Sequence, residues 1–481
     1  MSFVELQGRV RVKRLAGFTA LSLGLHLPGL VFNLFNSDEA SIATMATVIN
    51  KGGLLYHQTA DRKPPIVPYV YAFVFRLVGS TDLRPVRAVA AVSLALTAYL
   101  LAGEAEKRYG SERAGVICGV ILLVVVASFF PPDSQAAGFE TFMLLPMTAA
   151  FISAGEGNGL RAGLWLGIAC LTKQTAVTTI LPVAYLLWRT KGIRSVVTSV
   201  AAAGALITLT AEIFGPSQFL LWTVTGNKGY LALRGSLAAT FWRGMGMTWA
   251  FIGINLGLIV LVLLAARARR VPPEIWLWLV GGAIAVLSGL RFFGHYYLQL
   301  YPPLALAATA VVLEYRTVGR RVAATALALP AIVLFSVALL PPSARGVLSY
   351  GRVAQQVHAN TDSGDTIFVW GQYPEIYWAS GREPATRFIH TGFLTGNTGG
   401  RPVAGATADE GVPGSWAMLA EDFGAHPPEL IVDTSHTDIR GANYYPLSST
   451  PLWATVQNDY RLIGTVDGVQ LFKRVAPRSS A

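Results

Sequence analysis

Long apolar runs recur through most of the first 340 residues of this 481-residue chain, and they restrict its fold more than any other feature. Most runs have about the 20 residues that a helix needs to cross the hydrocarbon layer of a bilayer. Charged residues make up only 14% of the chain, whereas about a quarter is usual in a soluble domain. The sequence therefore predicts a polytopic α-helical membrane protein with about eleven spans.

Basic residues are concentrated in the short loops between these runs, as the positive-inside rule predicts for cytoplasmic loops. The first run follows four basic residues between Arg9 and Arg14 and has no small-residue cleavage site, which predicts a retained signal anchor. The net charge of +11 then requires no nucleic-acid partner. The predicted spans are Leu15–Phe35, Pro85–Gly103, Arg113–Phe130, Gly138–Ala154, Leu160–Leu171, Thr175–Trp188, Ser195–Phe214, Gly246–Ala266, Glu274–Leu290, Tyr296–Glu314 and Arg321–Leu340.

Two apolar segments are irregular. Ile66–Gly79 is short and follows two prolines, so an interfacial helix is predicted there rather than a span. Leu160–Leu171 and Thr175–Trp188 are separated by a polar tripeptide, and they form either two short spans or one broken span. With a cytoplasmic N-terminus, an odd number of spans places the chain after Leu340 outside the cytoplasm. A multi-pass protein of the plasma (inner) membrane is expected.

Residues 341–481 differ from the preceding chain, because their apolar runs have only the length of strands. Thr366–Trp370 and Leu430–Asp433 are predicted as buried strands, and Asp467-Gly468 is a hairpin signal between two further strands. The predicted helices are Val353–Ala359 and Ser415–Phe423, and the predicted hairpin strands are Arg461–Val466 and Val469–Lys473. We expect a transmembrane catalytic domain over 1–340, with its first outer loop at 36–84, and an extracytoplasmic α/β domain over 341–481.

The first predicted outer loop contains the strongest candidate site. Asp38 and Glu39 follow the membrane exit, and Lys63 precedes two prolines in the same loop. Ionisable groups at a bilayer cost free energy unless they are solvated or paired, so this cluster indicates function. A carboxylate can deprotonate a hydroxyl and a lysine can hold a phosphate, which together predict group transfer from a lipid phosphate.

Further polar and aromatic residues fall on the same predicted side of the membrane. Cations there would hold a lipid phosphate, acids would complete the cavity, and aromatic rings would stack on a sugar. The candidates are the acids Asp133 and Glu140, the cations Lys173, Lys228, Arg234, Arg243, Arg291 and His295, and the ring-bearing residues Tyr56, His57, Trp222, Tyr230, Tyr296 and Tyr297.

Each candidate, taken singly, also has a structural interpretation. Ser37 or Asp38 could simply cap a helix over Glu39–Asn50. Arg291 could be a snorkelling cation, and His295 beside two tyrosines could be an interfacial anchor. The functional prediction therefore rests on the cluster.

Several segments resemble a known family. SDEA after the first span, followed by LLYHQTADRKPPIVPYVYAFVFRLVG, resembles the first outer loop of GT-C glycosyltransferases of the family 39 and family 83 type. These include the protein O-mannosyltransferases and the lipid A aminoarabinose transferase. GFETFMLLP, GIACLTKQTA and GHYYLQLYPPLALA resemble later family segments, and WGQYPEIYWASGREPATRF resembles outer domains appended to bacterial members.

The resemblance implies a role for each candidate. Asp38 would be the catalytic base that deprotonates the acceptor, with Glu39 beside it shaping the acceptor site. Lys63 would hold the phosphate of a polyprenyl-phosphate sugar. The further implied roles are donor phosphate binding for Lys173, Arg291 and His295, a second acidic part of the cavity for Glu140 and Asp133, and acceptor or sugar contacts for Tyr56, His57 and Tyr296.

The function that the resemblance implies is transfer of a hexose or pentose from a polyprenyl phosphate to a glycan, lipid or protein hydroxyl, with inversion. No metal or other cofactor is predicted, because no Asp-x-Asp pair is present. A flippase or transporter of polyprenyl-linked lipid or glycan is the alternative, but the sequence has no convincing internal repeat. A polymerase or ligase of envelope polysaccharide is a further alternative. Cys118 and Cys170 lie in apolar runs without metal-type spacing.

Overall fold

A computed structural model describes residues 3–227, 237–396 and 411–475. Contacts divide the chain into two compact units, and each unit is discontinuous in sequence. The first comprises Met1–Asn36, Asp82–Thr210 and Ala238–Gly346, and the second comprises Ser37–Thr81, Ala211–Leu237 and Val347–Ala481. The functional domain limits expected from the sequence, 1–340 and 341–481, stay a prediction.

Most helices of the first unit are apolar and fall on the predicted spans. Its α-helices, which extend beyond its limits at two ends, are Phe3–Leu25, Leu27–Val31, Leu83–Tyr109, Glu112–Ala127, Pro131–Ser134, Phe139–Gly155, Gly159–Thr172, Ile180–Lys191, Ile193–Phe214, Leu237–Ile254, Leu256–Arg267, Pro273–Leu287, Tyr301–Val312 and Thr317–Ala338. Shorter 3₁₀ segments are Gln174–Thr179, Gly294–Leu300 and Pro342–Arg345.

Three helices in the described ranges are each long and apolar enough to cross a membrane: Leu83–Tyr109, Ile193–Phe214 and Thr317–Ala338. The pair Leu237–Ile254 and Leu256–Arg267 meets the same criterion when its two members are taken together. Several other predicted spans are divided into shorter apolar helices. The predicted class, a polytopic helical membrane protein with a small C-terminal sheet, is confirmed.

The predicted span Gly246–Ala266 contains a sharp bend. The chain over Gly246–Ala266 breaks at Asn255, where the two helices meet at an angle of 82°. The Asn255 amide donates to the Phe251 carbonyl oxygen at 3.0 Å and to the Tyr301 hydroxyl at 3.1 Å. The side chain thereby forms polar contacts at a break in an apolar environment.

Two helices of the first unit approach each other closely because one carries glycines at intervals of four residues. A Cβ at Gly159 or Gly163 would clash with a carbonyl oxygen of the helix Ile193–Phe214, and one at Gly167 would be crowded by Ala203. Residues four apart share a helix face, and small residues on such a face allow close packing within a membrane. This packing fixes the helix that ends immediately before Lys173.

The second unit contains a five-stranded sheet with the order β2-β1-β3-β5-β4. The strands are β1 Thr366–Trp370, β2 Glu383–Pro384, β3 Leu430–Asp433, β4 Tyr460–Val466 and β5 Val469–Arg474. Strand β1 is parallel to β2 and β3, whereas β5 is antiparallel to β3 and β4. The helices of this unit include Ser37–Asn50, Ile66–Val78, Pro216–Thr223, Gly351–Ala359, Glu375–Ser380, Gly392–Thr395, Ser415–Ala425 and Trp453–Asp459, with 3₁₀ segments at Thr225–Asn227, Ile439–Tyr444 and Leu447–Ser449.

The elements predicted for residues 341–481, called the tail below, are confirmed. Strands β1 and β3 have the predicted limits, and the β4–β5 hairpin turns at Asp467 and Gly468, whose φ angles are 53° and 81°. Two consecutive positive φ angles are those of a type I′ turn, which an Asp-Gly pair favours. Strand β2 was not predicted, since two residues have no detectable periodicity.

The first outer loop packs within the same unit as the sheet. Ala60 N donates to the Arg387 carbonyl oxygen at 3.0 Å, and Trp378 Nε1 donates to the Thr81 carbonyl oxygen at 2.9 Å. The helix predicted at Ile66–Gly79 is present as Ile66–Val78, and large apolar side chains on one of its faces remain exposed. Such a face suits the interfacial position predicted for it.

Candidate functional site

A cavity of about 40 Å³ in the second unit gathers acids, a lysine and a histidine. Asp38, Asp61, Lys63 and His390 are called the loop cluster below. Asp38 lies in the first turn of the helix Ser37–Asn50, and the other helical residues lining the cavity follow it by three and seven positions on the same face. The complete lining is Asp38, Ser41, Met45, Ala60, Asp61, Lys63, Ile389 and His390.

Asp38 and Lys63, predicted as partners from the sequence, are in contact. Lys63 Nζ lies 3.1 Å from Asp38 Oδ2, and the two side chains remain 28% and 43% exposed, so a substrate can reach both. Pro64 and Pro65 connect Lys63 to the helix Ile66–Val78 and restrict the backbone there. Two adjacent prolines therefore hold the lysine at a fixed position before a helix.

Asp61 and His390 were not among the predicted site residues. Burial raises the pKa of the Asp61 carboxyl above its ordinary value; the charge of Lys63 opposes this shift and that of Asp38 adds to it. Burial lowers the pKa of His390 to about 3, so its imidazole is neutral at physiological pH. Asp61 lies two residues before Lys63, a position that could have drawn attention, whereas His390 is distant in sequence and carries no local signal.

Three other predicted residues of the first loop do not line this cavity. Glu39 is buried, one position around the helix from Asp38. Tyr56 has no exposed surface, and its hydroxyl donates to the Lys63 carbonyl oxygen at 2.8 Å. His57 Nε2 lies 2.9 Å from the Phe214 carbonyl oxygen. In this conformation Tyr56 and His57 support the loop, and Tyr56 offers no face to a sugar.

Four predicted residues of the first unit form a second group, called the helix cluster: Asp133, Glu140, Lys173 and His295. His295 Nδ1 lies 2.8 Å from Asp133 Oδ1, and its Nε2 lies 3.7 Å from Glu140 Oε1. Lys173 forms a direct ion pair with Glu140, and its ammonium lies 4.2 Å from the centroid of the Tyr296 ring. Sequence reasoning thus selected residues that the fold brings together.

The polar side chains of the helix cluster already contact one another. The side chains of Glu140 and Lys173 are only 3% and 7% exposed, and a pair buried to this degree is stable only when both partners are present. His295 is likewise engaged by carboxylates. A phosphate that binds Lys173 or His295 must therefore share or displace a carboxylate.

Arg291, the remaining cation predicted to bind the donor phosphate, is buried in a strained loop. Its neighbours Leu290 and Phe292 have φ angles of 52° and 50°, in the left-handed region. Each such residue costs about 1–2 kcal/mol. Strain of this kind is concentrated at functional sites, which is consistent with the predicted role of the loop.

Some predicted residues contribute less to these clusters. Lys228, Tyr230 and Arg234 lie outside the described residues. The Arg243 guanidinium lies over the Phe293 ring at 5.0 Å from its centroid. Within the described ranges, no group of three or more His, Cys, Asp or Glu side chains could hold a metal ion. Independence from metal stays a prediction.

Comparisons with known proteins identify the fold. Residues 62–214 match the family model for dolichyl-phosphate-mannose-protein mannosyltransferases. The structure of ArnT from Cupriavidus metallidurans bound to undecaprenyl phosphate matches with a TM-score of 0.64 and 14% identity, over 97% of this chain and 99% of that chain. No curated protein gives a significant match.

A second solved structure gives the same result at lower similarity. The archaeal oligosaccharyltransferase AglB from Archaeoglobus fulgidus, in complex with an inhibitory peptide and a dolichol-phosphate, matches with a TM-score of 0.54 and 12% identity, over 98% of this chain and 75% of that chain. Both structures have the GT-C fold, and the resemblance predicted from the sequence is confirmed at this level. The family match includes Lys63, Glu140 and Lys173 but neither Asp38 nor His295.

Proposed function

From the GT-C fold of this chain, we propose that the protein is an integral membrane glycosyltransferase that moves a sugar from a polyprenyl-phosphate donor to an extracytoplasmic hydroxyl. The observation that carries the proposal is the contact between Asp38 and Lys63 at a small cavity. The bound lipids of the two matched structures, undecaprenyl phosphate and dolichol-phosphate, support a polyprenyl donor. The acceptor is a glycan, a lipid or a protein.

The reaction assigns opposite tasks to the two partners. The acceptor oxygen attacks the anomeric carbon while Asp38 accepts its proton, and the bond from the anomeric carbon to the phosphate oxygen breaks. The polyprenyl phosphate leaves with the electron pair, and the Lys63 ammonium stabilises the negative charge that develops on it. One displacement inverts the configuration, and no covalent enzyme intermediate is needed.

In the first unit, Lys173 and His295 of the helix cluster are proposed to bind donor phosphate together with Arg291. Glu140 neutralises Lys173 when no donor is bound, because an unpaired buried ammonium would be costly. When the donor binds, its phosphate partly replaces the Glu140 carboxylate as the partner of the Lys173 ammonium. This exchange requires no metal ion.

The proposal is tested with purified protein in liposomes and a panel of polyprenyl-phosphate sugars, and NMR of the extracted products gives the release of polyprenyl phosphate and the product configuration. The expected result is release from at least one donor and a product of inverted configuration. Retention of the anomeric configuration would contradict the single displacement but not the transferase activity. If no donor is consumed while a fluorescent polyprenyl lipid still crosses the bilayer, the flippase function is correct instead.

A further inference from the structure

His390 enters the cavity of the second unit from a segment far from Asp38 in sequence. It follows strand β2 and precedes the helix Gly392–Thr395, and both it and Ile389 line the cavity. The reaction proposed for Asp38 and Lys63 does not use His390. Its placement beside a carboxylate and a lysine therefore requires a separate explanation.

The ring of His390 is held by stacking. It lies against Phe393 with 4.3 Å between ring centroids and 22° between ring planes. Phe393 also contacts the Arg62 guanidinium at 4.8 Å from the ring centroid, and Arg62 Nη2 donates to the Gly392 carbonyl oxygen at 3.2 Å. The imidazole is thus fixed to the loop that carries Lys63 without using its own nitrogens.

The Nδ1 atom of His390 is buried and has no hydrogen-bond partner among the described residues. A buried polar atom without a partner costs about 1–3 kcal/mol, so such atoms are uncommon and call for an explanation. Here the stacked ring remains in place, and a ligand in the cavity could supply the partner that Nδ1 lacks.

The surroundings keep this imidazole neutral. Burial is the largest cause of its low pKa; the charges of Arg62, Lys63 and Arg440 act in the same direction and that of Asp38 opposes them. A neutral imidazole has one hydrogen-bond donor and one acceptor. A hydroxyl group likewise donates one hydrogen bond and accepts others, so the two are matched.

We propose that His390 binds the acceptor hydroxyl in this cavity and orients it toward Asp38. The cavity of about 40 Å³ has room for a hydroxyl and the carbon that bears it rather than for a whole sugar ring, since one water needs about 10–15 Å³ by the same measure. The inference rests on the proposed transferase function, and it adds the tail of the chain to the acceptor site.

The test compares wild type with His390→Phe, which keeps the stacked ring and removes both nitrogens, and with His390→Asn, which restores a donor and an acceptor. Each protein receives a polyprenyl-phosphate sugar that wild type consumes, and transfer to water and to added glycerol is measured. For His390→Phe we expect about a tenfold lower rate with both hydroxyl probes and an unchanged donor KM. His390→Asn should recover part of this loss.

His426→Phe is the matched control, because this exposed histidine of the same unit does not line the cavity. Thermal unfolding verifies that each variant is folded. Between pH 5 and 9 the ratio of wild-type to His390→Phe rates should stay constant, because the imidazole does not titrate there. A ratio that changes with pH, or wild-type rates in a folded His390→Phe protein, would overturn the inference. If wild type consumes no donor, the proposed function itself fails and this inference fails with it.

Discussion

Replacement of Asp38 by Asn is the sharpest test of the catalytic assignment, because it should remove activity with little loss of stability. The substitution keeps the shape of the side chain and removes the charge that accepts the acceptor's proton. Loss of a general base typically lowers the rate by about 10²–10⁴-fold. This corresponds to about 2.7–5.5 kcal/mol in the activation barrier.

The expected change in folding free energy is much smaller. The ion pair of Asp38 with Lys63 is 3.1 Å long, but its side chains are 43% and 28% exposed, so solvent screens it. Exposed pairs contribute about 0.2–1 kcal/mol to stability. The barrier should therefore rise at least about twice as much as the free energy of unfolding falls.

Asp82→Asn provides the matched control. Asp82 caps the helix Leu83–Tyr109 through Oδ1, which Asn retains, and it also forms a part-exposed ion pair with Arg84. Asp82→Asn therefore removes only the charge of such a pair, which should cost about as much stability as Asp38→Asn. Transfer rates and thermal unfolding are measured for both variants. The control should keep wild-type activity. If a folded Asp38→Asn protein keeps more than about a tenth of the wild-type rate, Asp38 is not the base.

Three further predictions follow from the geometry. Lys173→Met leaves the buried Glu140 carboxylate with only its 3.7 Å contact to His295 Nε2, which should cost up to about 3–5 kcal/mol in denaturant unfolding, and the added change Glu140→Gln should recover most of it. A single variant as stable as the double would contradict this. Because the native pKa of Asp61 is raised above 3.8, its contribution to stability is lost as pH rises through the native pKa. The thermal midpoint of Asp61→Asn should therefore rise relative to that of wild type as pH increases from 4 to 7. A difference in midpoint that stays constant over this range would refute the prediction. Treatment with EDTA should leave the transfer rate unchanged, whereas a loss that Mg²⁺ or Mn²⁺ restores would show that a metal is needed.

The sequence predicted a helical membrane protein, because apolar runs long enough to cross a bilayer are a strong sequence signal. It could not locate the break at Asn255, since that residue stops the helix through contacts with Phe251 and Tyr301 rather than through a local breaker such as proline. The glycines that precede Lys173 recur every four residues, a spacing that is visible in the sequence. Close packing of two helix backbones through glycines is thus partly predictable from the sequence, whereas kinks stabilised by residues distant in sequence are not.

The candidate site shows the same distinction between local and distant information. Asp38 and Lys63 were paired from chemistry within one loop, and that loop folds so that they meet. His390 could not be found this way, because only the packing of residues 387–393 against the loop, through Ala60 and Arg62, brings it to the cavity. Since the loop and the C-terminal sheet belong to one compact unit, the tail cannot be treated as a simple appendage. It supplies part of the wall around the proposed base, and changes in it should alter acceptor binding as directly as changes in the first loop.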